Sequence, residues 1–269
     1  MPVPGGPAAH IILVVPCYNE AARLDRDAYR DYRPSGHRVD LLFVDDGSTD
    51  ATPEVLQAIL GSRRGADRLL RLPRNSGKAE AVRQGLLAAI EQEPHYVGFW
   101  DADLATPLDD VTVFADILDE KPALHMVFGA RVKLLGRRID RNPVRHYAGR
   151  AFATVVSLML RLPVYDTQCG AKLFRVTDAL RAAVSRPFLS RWVFDVEILA
   201  RYRQSLPPSP GLEGAVYELP LLRWHDVSGS KLTAFDFVKA GRDLWRIHRV
   251  YLRAGARKPP DPPAAATGS

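Results

Sequence analysis

Five short apolar runs, spaced about 30 residues apart through the first half of the chain, restrict the fold more than any other feature. They are His10–Tyr18 (HIILVVPCY), Val39–Val44 (VDLLFV), Arg68–Leu72, Tyr96–Trp100 and Leu124–Ala130. The first is apolar throughout, with no polar alternation, as expected of a strand covered on both faces. Segments of helical character separate the runs. A helix is predicted over Thr52–Leu60 with Asp50 or Ser48 as its cap. Another is predicted over Gly77–Glu91, with Ala81, Leu86, Ala89 and Ile90 on its apolar side. A third opens at Pro107, a residue suited to a first helical turn. Strand and helix in this alternation predict an α/β chain with a mostly parallel, Rossmann-like central sheet flanked by helices on both faces. Ligands of such sheets sit beyond the carboxyl ends of the strands.

Three polar motifs fall at those ends. PCYNE (Pro16–Glu20) follows the first run, DDGSTD (Asp45–Asp50) the second, and FWDADLATP (Phe99–Pro107) spans the end of the fourth. Asp101 and Asp103 are the sharpest pair. In extended backbone, residues i and i+2 share a face, so two carboxylates there repel unless a cation or a hydrogen-bond network lies between them. Their hard oxygens suit Mg²⁺ or Mn²⁺ bridging a diphosphate. The acid and glycine of DDGSTD suit hydrogen bonding to a nucleobase or ribose. Asn75-Ser76-Gly77-Lys78 opens a helix, where phosphate is favoured and Lys78 adds charge. Each motif taken singly also reads as a turn, a cap or a solvated end. Neither GxGxxG nor GxxxxGK[ST] occurs, so a dinucleotide fingerprint and a P-loop are excluded.

The second half is less regular. Arg145–Arg161 reads as a helix, Asp166–Arg175 (DTQCGAKLFR) as turn and strand, and Trp192–Tyr202 as a helix. SLPPSPG is a loop, Val216–Trp224 a strand and Thr233–Ala254 a long helix. Residues 1–9 and 256–269 have the composition of loose tails. No linker divides the chain between them. A net charge of +6 favours an anionic partner. The two cysteines, Cys17 and Cys169, form neither a disulfide framework nor a metal-type spacing. No signal peptide or apolar run of membrane-spanning length is visible. The expected location is therefore cytoplasmic, peripheral at the inner face of a membrane. Lys239, Arg242, Arg246, Arg249, Arg253 and Arg257 recur in steps of three or four, giving the C-terminal helix one basic stripe. Such a stripe suits an anionic membrane surface, and equally a solvated face of a packed helix.

In this order and at successive strand ends, the motifs resemble family 2 glycosyltransferases of the glycosyltransferase-A fold. DTQCGAKLFR, RWVFDVE (Arg191–Glu197) and GSKL (Gly229–Leu232) extend the resemblance to the dolichyl-phosphate β-glucosyltransferase branch, a sister of the dolichyl-phosphate mannose synthases. It covers residues 10–255 as one domain, with a nucleotide-binding half at about 10–130 and an acceptor half at about 131–255. The resemblance implies an inverting transfer of a hexose, glucose from UDP-glucose, to polyprenyl or dolichyl phosphate. Pro16, Tyr18, Glu20, Val44, Asp46, Lys78, Asp101 and Ala102 would then serve the nucleotide, and Asp101 and Asp103 would hold the metal. Asp103, Asp195 and Lys231 would serve the chemistry, while Arg131, Arg145 and Arg150 would meet the acceptor phosphate. Asp195 is equally readable as a partner of Arg191 or Lys172. Mannose synthases commonly carry Gln where Ala105 stands and Arg where His225 stands; both departures favour the glucosyl branch. Eukaryotic members carry an N-terminal anchor that this sequence does not show. Other expectations stay open: GDP-mannose as donor, a soluble hydroxyl acceptor with Asp195 as base, or a non-catalytic sugar-nucleotide-binding protein. A nucleic-acid partner is not expected, because Trp245 is the one aromatic well placed in the basic stripe.

Overall fold

The computed structural model describes residues 8–63, 65–133, 135–136, 138–140, 143–225 and 234–253; Lys231 and Arg257 lie outside them. The side chains of 140–146 and 234–238, Arg145 among them, are likewise not described.

The first three strands are β1 (His10–Cys17), β2 (Arg38–Asp45) and β3 (Arg68–Arg71), with helices α1 (Arg26–Asp31) and α2 (Thr52–Ser62) in the connections. Helix α3 (Lys78–Ile90) leads to β4 (Tyr96–Trp100), and α4 (Asp110–Glu120) leads to β5 (Met126–Ala130). β2, β1 and β4 run parallel side by side, as the apolar runs require. Every residue from Ile11 to Val15 is at most 2% exposed, because helices cover both faces of the sheet. One side packs β1, β2 and β4 on α3, through Val14, Val44, Val82 and Leu86; the other packs them on Tyr29, Leu56 and Phe114.

The second half supplies β6 (Arg138–Asp140), α5 (Pro143–Leu160), β7 (Ala171–Arg175), α6 (Asp178–Val184), α7 (Phe194–Ser205), α8 (Gly211–Ala215), β8 (Val216–Pro220) and β9 (Arg223–His225). Helix α9 (Ala234–Ile247) runs into a π-helical turn, His248–Leu252. The main sheet has the order β3-β2-β1-β4-β7-β5-β8. β7 inserts antiparallel between β4 and β5, while β8 pairs parallel with β5. β6 and β9 form a separate parallel pair.

Local reading of the sequence missed several of these features. The strand expected over Val216–Trp224 breaks at Leu221–Leu222, where its second part leaves the main sheet to pair with β6. Helices α6 and α8 occupy stretches with no strong helical period. Pro107 lies in the turn before α4, its carbonyl accepting from Asp110 N–H at 3.2 Å. Neither Asp50 nor Ser48 is the N-cap of α2; Ala51 holds that position. Both polar side chains have tertiary work instead. Ser48 Oγ accepts from Asn19 N–H at 3.0 Å, and Asp50 accepts from Ala21 N–H at 3.2 Å and from Thr52.

Candidate active site

The loops after β1 and β2 are knitted into one floor. Asn19 adopts φ 53°, and its Oδ1 accepts from Thr49 N–H at 2.9 Å. Glu20 N–H donates to Thr52 Oγ1 at 2.8 Å. Asp45 is fully buried and accepts from Ser48 N–H at 3.0 Å. Asp46, also buried, accepts from Ser76 N–H at 2.7 Å and Gly77 N–H at 2.8 Å. This carboxylate therefore fixes the backbone that launches Lys78, a role the motif alone did not disclose.

Basic side chains stand beside both aspartates. Asp101 and Asp103 lie in a turn, closed by Leu104 at φ 52°, and not in extended backbone. Lys78 Nζ forms an ion pair with Asp101 Oδ1. Burial works against the ammonium charge, but neighbouring Asp101 more than offsets it and the Lys78 pKa is raised. Arg23 Nη2 stands 3.7 Å from Asp103 Oδ2, and Ala105 N–H donates to Asp103 Oδ1 at 3.1 Å. Burial, then the Asp101 charge, pushes the Asp103 carboxyl above its ordinary range. Glu20 is raised by burial too, against the pull of Arg23, with Asp103 and Asp101 adding to the rise. Its Oε2 is buried and makes no hydrogen bond, although Arg23 Nε approaches to 3.4 Å. Three carboxylates thus share one pocket of field with too few local cations.

These groups fit a divalent cation. Asp101 N–H donates to Gly170 C=O at 2.9 Å, and any side chain at 170 would overlap the Asp101 carboxylate. The QCG glycine is a cradle shaped for that acid. Among the described residues no group of three His, Cys, Asp or Glu side chains is arranged to hold an ion. A two-carboxylate set suits a hard cation that takes its other oxygens from water and a diphosphate.

The remaining sequence candidates fall into distinct groups. Pro16 is half-buried opposite Val44, and Tyr18 is exposed at the strand ends. Ala102 is buried, its carbonyl accepting from Tyr29 OH at 3.1 Å. The Val44 side chain is fully buried against α3, so it points away from the loops and only its backbone is left for a ligand. Asp195 is buried and ion-paired to Lys172 at 2.6 Å, and Lys172 also donates to Thr167 C=O and Cys169 C=O. Burial nonetheless pushes Asp195 up, against Lys172 and the more distant Lys78. Arg131 is paired with Asp166, through Nε at 2.5 Å and Nη2 at 2.7 Å. The pair ties Arg131 to the segment before QCG, which Glu218 holds from the other side through Tyr165 and Asp166 N–H. Arg150 is exposed, 3.8 Å from the centre of the Tyr165 ring. His225 is exposed on β9, and its N–H donates to Ala105 C=O at 3.3 Å. The two positions that depart from the mannose synthases are therefore in contact, which their spacing in sequence did not reveal.

Comparison with known proteins agrees with this geometry. The model of glycosyl transferase family 2 matches residues 12–179. The dolichyl-phosphate beta-glucosyltransferase of Saccharomyces cerevisiae is 33% identical, covering 89% of this chain and 74% of the relative. That of Mus musculus is 31% identical, covering 93% and 78%. Among solved structures, glucosyl-3-phosphoglycerate synthase from Mycobacterium tuberculosis with UDP superposes with a TM-score of 0.64 over 90% of this chain and 80% of that one, at 19% identity. The same enzyme with Mn²⁺, UDP-glucose and phosphoglyceric acid gives 0.60 over 91% and 77%, at 20% identity. At such identity the likeness concerns the fold, which is that of the glycosyltransferase-A enzymes.

Proposed function

The chain belongs to glycosyl transferase family 2, and on that premise we propose that it moves glucose from UDP-glucose to a polyprenyl or dolichyl phosphate with inversion. The observation that carries the proposal is the cluster of Asp101, Asp103 and Lys78 at the strand ends, in a chain similar over most of its length to dolichyl-phosphate glucosyltransferases. Asp101 and Asp103 would hold Mg²⁺ or Mn²⁺, and a bound ion would supply charge neutralisation for the departing diphosphate. Lys78, freed from Asp101 when other cations arrive, would meet the same phosphates. Tyr18 and Glu20 would contact the nucleoside, with Asp46 holding the adjoining loop.

No general base is needed for an acceptor whose phosphate oxygen is already anionic; positioning is what remains. Asp195 fits that logic, since its carboxylate is tied to Lys172 inside the protein. Arg150, and by its sequence position Arg145, would orient the acceptor. Lys231 would act on the leaving group if the GSKL segment folds over the site. Among the described residues, no helix is long and apolar enough to cross a membrane. Contact with an anionic leaflet would fall to the basic residues of α9 and the π-turn, where Lys239, Arg242, Arg246, Arg249 and Arg253 are all exposed beside Trp245 and Val250. The deciding experiment sets UDP-glucose against GDP-mannose as donors, and polyprenyl phosphate against phosphoglyceric acid as acceptors, with Mn²⁺ or Mg²⁺. Preference for GDP-mannose, or for the soluble acceptor, would overturn the corresponding half of the reading.

A further inference from the structure

Arg191 stands apart from every other cation at this site. It is exposed, and it makes no hydrogen bond or ion pair with any described residue. Its neighbours in the fold are nevertheless well defined. A Cβ built on Gly77 would lie 3.2 Å from Arg191 Nε and 3.5 Å from its Cδ, so the guanidinium rests on the backbone turn that precedes Lys78. That turn is the one Asp46 grips through Ser76 and Gly77 N–H. Gly77 takes φ 92°, open to few other residues, and its lack of a side chain makes room for the arginine.

The loop that carries Arg191 is held from beneath. Ser190 Oγ accepts from Val193 N–H at 3.0 Å and donates to Asp243 of α9 at 2.7 Å. Glu197 Oε2 accepts from Leu189 N–H at 2.8 Å, while its other oxygen pairs with Arg201 at 2.6 Å. Arg201 in turn donates to the carbonyls of Ala183, Arg186 and Pro187. A buried ion pair and a link to α9 thus fix a loop whose outward Arg191 has no partner among the described residues. Arg191 packs on the glycine that precedes Lys78, and of the two cations only Lys78 has a carboxylate partner among the described residues.

We propose that Arg191 is a substrate-binding residue, a guanidinium clamp for phosphate oxygens next to Lys78. This rests on the glycosyl-transfer reading above and assigns that site a ligand from α7's approach loop. A planar guanidinium grips two phosphate oxygens at once. The phosphate belongs either to the donor diphosphate or to the acceptor.

The test is calorimetric titration with Mn²⁺ present, using UDP and uridine as separate probes, followed by initial rates against a short prenyl phosphate. Arg191→Ala should bind UDP at least tenfold more weakly and uridine as the wild type does, with Arg191→Lys intermediate. That result assigns the clamp to the donor. Unchanged UDP affinity with a tenfold higher KM for prenyl phosphate and little change in kcat assigns it to the acceptor. An unchanged thermal midpoint separates either result from a structural defect. If Arg191→Ala matches the wild type in UDP affinity and in acceptor KM, the clamp is refuted. If the wild type itself fails to bind UDP, the glycosyl-transfer reading falls instead.

Discussion

Replacing Asp46 with Asn isolates the junction between the second strand and the loop that carries Lys78. The wild-type carboxylate accepts two backbone N–H bonds, from Ser76 at 2.7 Å and Gly77 at 2.8 Å, while only 2% exposed. Hydrogen bonds to a charged group contribute about 1.5–3 kcal/mol each, and a buried donor left unmatched costs a similar amount. Asparagine preserves the shape and one acceptor oxygen. Its NH₂ then faces the second N–H, donor against donor. One bond is lost and the other loses its charge assistance, which puts the cost at roughly 3 kcal/mol. In a chain of this size that lowers the thermal midpoint by roughly 6–12 °C. Urea unfolding followed by tryptophan fluorescence measures the loss, and calorimetry with UDP and Mn²⁺ on the folded variant measures the consequence for Lys78. Both should fall together. A variant as stable as the wild type, yet at least tenfold weaker for UDP, would refute the loop-holding role and make Asp46 a direct nucleoside ligand.

Further outcomes are expected elsewhere. Asp103→Asn should cut turnover at least about a hundredfold and weaken Mn²⁺ binding, because charge on the leaving diphosphate is left uncompensated; full activity of that variant in chelator would remove the metal role. Gly170→Ala should displace the Asp101 carboxylate, and Mn²⁺ titration by electron paramagnetic resonance should show weakened binding; an unchanged affinity would mean that Asp101 does not need the cradle. The Asp110 carboxyl is pushed up to about 6, by burial first, with Arg223 opposing and Asp109 adding, and its Oδ2 makes no hydrogen bond. Its ionised form is therefore a penalty that is full above that pH and fades as pH falls toward the ordinary value of 3.8. Asp110→Asn should accordingly raise the thermal midpoint at pH 8 but not at pH 4, and an equal gain at both would contradict the sign. Replacing Arg242, Arg246, Arg249 and Arg253 with Gln should abolish binding to anionic vesicles, each near-surface cation contributing on the order of 1 kcal/mol; binding that survives the change, or that ignores added salt, would argue for a solvated face only.

Much of this architecture was legible in the order of residues. Tyr96–Trp100 is the same in expectation and structure, and β1 and β2 differ from their apolar runs by a residue or two at their ends. Strands buried on both faces leave an unbroken apolar record, because solvation acts on each residue where it stands. The carboxylates of PCYNE, DDGSTD and DAD were likewise visible, since a parallel sheet delivers every strand end to one edge. Tertiary structure decided what each polar group does there. Asp46 meets a loop 30 residues away, Asp101 meets Lys78, Asp195 meets Lys172 and Arg131 meets Asp166. None of these pairings has a local signature, because a charge takes whichever partner the chain crossing brings near. The same reason hid where the strand read within Asp166–Arg175 pairs as β7. An antiparallel strand between β4 and β5 is specified by edges that exist only after both have folded, whereas the five residues Ala171–Arg175 by themselves encode little more than a preference to be extended.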